Sequence, residues 1–190
     1  MNDVIKTIMS RQSVGRLVDP APSPTELQMI LKAAANAPDH GVLRPFHFIV
    51  FKDEEKMRFQ KVLLEALERR ARAKGSTLTE GQIKKESTKF ERAPMVIAVA
   101  TKINLRSKIP EVEQILSTAA AVENLLLAAK SLGYDSMWRT GEATYDDFVK
   151  TAIGLEATDH IVAWVYLGTN PRSTSESRDP SLIDLVTFWR

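Results

Sequence analysis

Apolar residues recur along this chain at two spacings, and the changes from one to the other outline its elements. Val4, Ile5 and Ile8 repeat at helical spacing over residues 4–9, and the pattern breaks near Ser10-Arg11. Ser23-Pro24-Thr25-Glu26 is a capping box with proline at the first helical position. Its hydroxyl and carboxylate satisfy orphan amides, and the ring fixes φ where a helix needs it. Leu27, Ile30, Leu31 and Ala34 then mark a buried stripe that ends at Ala37-Pro38, because a residue before proline avoids helical geometry. Phe46 to Phe51 predicts a strand. Residues 55–74 predict an amphipathic helix with Phe59, Val62, Leu63, Ala66 and Leu67 on one side. Residues 77–92 are charged and poor in aliphatics, which predicts an exposed helix or a mobile excursion.

Met95 to Ala100 is apolar throughout, the signature of a central strand covered on both faces. Pro110 opens the longest helix, which runs to Leu132 and closes with Gly133 at the left-handed cap position. Its middle, Ala119 to Ala129, is nearly apolar all round, so most of its sides should be buried, one of them by a second subunit. Residues 134–138 predict a short strand, 144–153 a helix capped by Thr144 and stopped at Gly154, and 160–167 the last strand. From Asn170 the chain is polar, then apolar again over 182–189, a tail that needs something to lie against. Helices interleaved with four or five strands give an α+β fold, a sheet between helices, with residues 1–190 as one domain and 170–190 as an arm.

Composition narrows the function classes. The hydrophobic share of 44% and charged share of 26% are those of an ordinary globular protein. A net charge of +2 does not argue for nucleic acid, and the densest basic run, Arg69 to Lys74, reads as the solvated end of a helix. Cysteine is absent, which removes disulfides and thiolate chemistry and fits a reducing compartment. Asp3 and Lys6 interrupt any N-terminal signal pattern, and no uninterrupted apolar window reaches bilayer length. The cytosol is therefore the expected location, with no membrane partner.

No dinucleotide fingerprint, phosphate loop, nucleophile elbow or zinc-protease motif occurs. The three histidines His40, His47 and His160 are not spaced as a helical pair, so no metal site is expected. The carboxylate pairs Asp146-Asp147 and Glu54-Glu55 fit helix starts better than catalysis. What remains is a set suited to an anionic planar cofactor. Arg11 and Ser13, in Ser10-Arg11-Gln12-Ser13-Val14-Gly15-Arg16, supply a guanidinium fork and a hydroxyl just beyond a helix; ordinary surface charge is the alternative. Gly15 beside Arg16 suggests a close backbone approach or an unusual φ. Trp138-Arg139-Thr140-Gly141 leaves the end of a strand. Its arginine is hard to explain as core, since an unpaired buried charge is strongly disfavoured. Pro38-Asp39-His40-Gly41 forms a helix-to-strand loop of the sort that lines sites.

These pieces stand in one order: R-x-S, an S-P-x-E-L helix, A-P-D-H, P-F-H-F, A-P-M-V-I, a long Ala/Leu helix, W-R-T-G and Y-L-G-T. The ordered set, over roughly residues 1–172, resembles the flavin-dependent nitroreductase family. A-P-D-H with W-R-T-G is similar to its small bacterial YdjA-type members. The resemblance implies a mostly antiparallel sheet flanked by helices in an intertwined homodimer, with flavin mononucleotide (FMN) at two intersubunit sites. By that likeness Arg11, Gln12 and Ser13 meet the phosphate and ring of FMN. Asn36 and His40 approach from the other subunit, Trp138, Arg139 and Thr140 close the site, and the C-terminal segment near Val186 reaches the partner. Glutamine stands at position 12 where many members carry a second arginine. Val42 and Arg44 replace two amide side chains of the commoner loop, which bears on substrate preference more than on flavin binding.

A flavin carries redox chemistry itself, so the missing catalytic dyad is consistent with an NAD(P)H oxidoreductase that reduces a nitroaromatic, quinone or similar small acceptor in ping-pong fashion. A flavin-binding sensor or carrier without turnover is the alternative. A nucleic-acid-binding domain using Arg69 to Lys74 is the third reading, disfavoured by the small net charge.

Overall fold

The computed structural model describes residues 2–172 and 181–189. Six α-helices and four strands follow one another along the described chain: α1 (Asp3–Ser10), α2 (Pro24–Ala34), β1 (Phe46–Lys52), α3 (Asp53–Ala73), α4 (Glu80–Ser87), β2 (Met95–Thr101), α5 (Glu111–Ser131), β3 (Asp135–Arg139), α6 (Asp147–Ala152) and β4 (His160–Gly168). The sheet runs β1-β2-β4-β3, and all three pairings are antiparallel. The strand number is thus four among the described residues, the lower of the two expected.

β2 lies inside the sheet and all seven of its residues are buried, as its unbroken apolar run predicts. Phe51, Phe59, Phe90, Trp164 and Tyr166 gather on one sheet face, with Phe51 and Phe59 stacked at 4.6 Å between ring centroids. Ile30, Ala34, Val122, Leu125 and Leu126 cover the other face from α2 and α5. By length and composition α5 is the one helix among the described residues that could cross a membrane; its buried stripe packs on the sheet instead.

The local signals act as expected at α2, where Ser23 and Glu26 complete the capping box. Gly133 ends α5 at φ +88°, a left-handed turn that sends the chain straight into β3. The charged stretch over 77–92 holds an exposed helix as expected, α4 with no buried residue, but the 3-10 turn after it (Lys89–Arg92) buries Phe90 to 1% exposure. Two further expectations need correction. Residues 144–153 are split: a 3-10 turn spans Glu142–Tyr145, Thr144 is buried, and Asp146 caps α6 by accepting from the amides of Phe148 and Val149. Arg70 is not a solvated helix end, for its guanidinium is bonded to Asp146 and lies 3.6 Å from Glu142, which ties α3 to α6.

Candidate functional site

β3 is an edge strand, and the segment after α1 lies along its open side. Ser13 forms a parallel bridge with Ser136, and the Val14 amide donates to the Ser136 carbonyl at 3.0 Å. Further on, Val18 and Thr169 exchange backbone bonds at 2.8 and 2.9 Å, so the segment is pinned at both ends. Two stretches more than 120 residues apart in sequence therefore meet at one sheet edge, with Ser13 on Ser136 near the start of β3 and Gly15 beside Arg139 at its end. Arg11 extends toward α5, its Nε 3.6 Å from Glu123, too far for a hydrogen bond. Its side chain is 29% exposed, and Glu123 is its one ion-pair partner among the described residues. Gln12 is half-buried and Ser13 exposed. Gly15 has no left-handed φ, and a Cβ there would meet Arg139 at an ordinary 3.7 Å, so the expected backbone peculiarity is absent.

Successive side chains of β3 leave the sheet on opposite faces. Trp138 packs with the α2–α5 cluster and its indole N–H donates to the Val162 carbonyl at 3.2 Å. Arg139 goes to the α3 face, with its guanidinium carbon 5.4 Å from the Tyr166 ring centre. Its Nε is buried and has no hydrogen-bond partner among the described residues. Thr140 is exposed where the chain leaves the strand. Burial raises the Tyr166 phenol above its ordinary pKa, and the nearby Arg139 and Arg92 only partly oppose that.

The helix-to-strand loop is shaped by backbone that L-residues rarely adopt. Gly41 sits at φ +71°, and a Cβ there would collide with Ile109 at 2.5 Å. Val42 at φ +55° and Arg44 at +50° hold the left-handed region despite their side chains, which is local strain of a kind concentrated at binding loops. Asp39 steadies the turn, its carboxylate accepting from the Arg44 amide at 2.6 Å. His40 Nδ1 lies 2.5 Å from the Glu113 carboxylate, beside a shallow depression completed by Leu116, Ser117 and Ala120. Asn36 is exposed and its amide donates back to the Lys32 carbonyl at 2.7 Å. Arg11 and His40 thus reach α5 ten residues apart, at Glu123 and Glu113, or about 15 Å along the helix. Within one chain, Asn36 and His40 do not join the residues at the β3 edge.

Sequence reasoning passed over Tyr166 and Trp164, which alternate on one face of β4, and Lys85 and Arg92, on either side of Phe90 in sequence; all four line one cavity with Arg139, whose guanidinium lies over the Tyr166 ring. The alternation in β4 was readable, but the destination of 77–92 was not. Among the described residues no His, Cys, Asp or Glu cluster could hold a metal ion.

The sequence pattern of the family described as "Nitroreductase family" matches residues 8–169. The Escherichia coli K12 protein named "Putative NAD(P)H nitroreductase YdjA" is 36% identical over 188 residues, 98% of this chain and the whole of that protein. A crystal structure of a "Nitroreductase-like Family Protein" from Bacillus cereus superposes with a TM-score of 0.82 at 20% identity, over 100% of this chain and 97% of the other. A Bacteroides fragilis nitroreductase crystallised with bound FMN gives 0.75 at 21% identity over the whole of both chains.

Proposed function

This chain belongs to the nitroreductase family, and on that premise we propose that it is an FMN-dependent NAD(P)H oxidoreductase acting as a homodimer on small electron acceptors such as nitroaromatics or quinones. The observation that carries the reading is the meeting of the segment after α1 with β3, Ser13 on Ser136 and Gly15 beside Arg139. The donor set there fits FMN. Arg11 is held only loosely, by Glu123 at 3.6 Å, Ser13 and Thr140 are exposed, and β3 is an edge strand bridged on its outer side only at Ser136 among the described residues.

In this reading Arg11 holds the phosphate, and Gln12, Ser13 and Thr140 hydrogen-bond the nucleotide. Trp138 bounds the site from the α5 side, and Arg139 contributes through its main chain. When bound, the flavin supplies the hydride chemistry, so the protein needs no nucleophile of its own. The chain's part is to bind, to orient and to keep positive charge from Arg11 near the nucleotide. Donor and acceptor use the same opening in turn, and the expected kinetics are ping-pong.

Asn36 and His40 come to this site from the second subunit. Support lies in the apolar surface one chain leaves uncovered: Ile5 and Ile8 of α1 are each 47% exposed and Leu116 of α5 61%. The arm over 170–190 reaches across with Val186 and its neighbours, though residues 173–180 and 190 lie outside those described. The cytosol is the proposed place of action.

The test is steady-state reduction of a nitroaromatic and of a quinone by NADH and NADPH with the flavin-loaded protein. Parallel double-reciprocal lines for either acceptor support the reading. A yellow protein that neither nucleotide reduces would instead be a flavin carrier.

A further inference from the structure

Arg44 stands four residues beyond His40, on the loop that reaches the flavin from the second subunit in the reading above. A second loop, residues 102–110, is fastened against it. The Lys102 amide donates to the Pro45 carbonyl at 2.7 Å, and Ile109 lies so close to Gly41 that a Cβ there would sit 2.5 Å away. Within the second loop, the buried Gln114 side chain accepts from the Asn104 amide at 2.9 Å and donates to the Ile109 carbonyl at 3.1 Å. The two loops therefore form one braced surface next to His40.

That surface is positive. Residues 39–45 and 102–110 carry four cations, Arg44, Lys102, Arg106 and Lys108, against one carboxylate, Asp39. The local excess of three exceeds the +2 of the whole chain. All four cations are exposed, and none has a carboxylate in ion-pair range among the described residues. The neighbouring carboxylates are engaged elsewhere. Asp39 accepts from the Arg44 amide, and Glu113 and Glu111 meet His40 and His160 at 2.5 and 2.7 Å. Asp159 accepts from the amides of Ile103 and Glu156. The same surface leaves Val42 71% and Leu105 72% exposed, two apolar side chains on loops that these bonds hold still. Unpaired cations beside bare aliphatic side chains match a phosphate carried close to a purine ring. NADPH has that group on its adenosine ribose, and NADH lacks it.

We propose that the electron donor is NADPH in preference to NADH, its 2′-phosphate held by Arg44, Arg106 and Lys108 and its adenine against Val42 and Leu105. The proposal rests on the flavin reading for the placing of this loop at the donor's opening. The 2′-phosphate takes no part in hydride transfer, so the two loops act on the choice of donor alone.

The test is calorimetric titration of adenosine 2′,5′-bisphosphate and of 5′-AMP into the FMN-loaded full-length protein, beside kcat/KM for NADPH and for NADH with one quinone as acceptor. The bisphosphate should bind about tenfold tighter than 5′-AMP or better, the scale of one charge-assisted hydrogen bond, and kcat/KM should favour NADPH by a similar factor. Arg44→Gln should bring both ratios down to about one. If Arg44→Gln fails to fold, Lys108→Gln on the other loop should lower both ratios by a smaller factor. Equal binding of the two adenosine nucleotides, equal use of NADPH and NADH, or ratios that neither charge variant moves would overturn the proposal. Reduction by neither nucleotide would defeat the oxidoreductase reading and this proposal together, whereas reduction by both alike defeats the proposal alone.

Discussion

β2 and α1 use the same kinds of residue to opposite ends. Every side chain of β2 is buried, whereas α1, with Val4, Ile5, Ile8 and Met9 aligned on one side, has no buried residue at all. The apolar pattern states that a surface wants covering; it does not state which molecule covers it. β2 finds its cover within the chain. The outer sides of α1 and α5, and a tail with Phe188 at 85% and Trp189 at 99% exposure, do not. The flavin contacts proposed here lie along that unfinished side, which is why one chain leaves Asn36 and His40 apart from Arg11.

The contrast can be broken from the finished side first. Phe90→Ala removes a side chain 1% exposed and packed on four aromatic rings, and should cost about 3–5 kcal/mol in denaturant unfolding. A loss near zero would mean that residues 89–92 do not belong to the core. On the unfinished side, Arg11→Ala should weaken FMN by about 1.5–3 kcal/mol, roughly tenfold to more than a hundredfold in Kd, with the melting of the flavin-free protein little changed. Equal retention of flavin through dialysis would move the phosphate elsewhere. Leu116→Lys should leave the fold of the single chain intact and shift the native mass from two chains toward one, read by light scattering. A dimer indifferent to this change would separate the α5 face from the interface.

The smallest effect concerns pH. His47 has its pKa lowered, by partial desolvation first and by Lys102 next, with Asp159 opposing. The folded protein therefore binds that proton less readily than the unfolded chain. The contribution to stability is complete above the unfolded histidine value and is lost as pH falls through the lowered one. In His47→Gln the slope of stability against pH just below the ordinary histidine range should flatten slightly. An unchanged slope would place the titration elsewhere.

Much of the fold was legible because its signals are local. Ser23-Pro24-Thr25-Glu26 caps α2, Gly133 closes α5, and the unbroken run of β2 announces its burial. The errors share another cause. Thr144 yields its capping role to Asp146, and Arg70 leaves solvent for the same carboxylate, because tertiary contacts across α3 and α6 outweigh local preference. At the site, the bridge of Ser13 to Ser136 in β3 could be expected only from the family's order of motifs, since a single bridge between distant segments has no periodicity. Strand alternation then divides Trp138 from Arg139, a distinction the motif W-R-T-G does not carry by itself.

The most direct measurement is the flavin-to-protein ratio of the purified, dialysed protein, taken from its visible absorbance after addition and removal of excess FMN. One FMN per chain is the predicted result. A colourless protein that takes up no FMN would contradict the account.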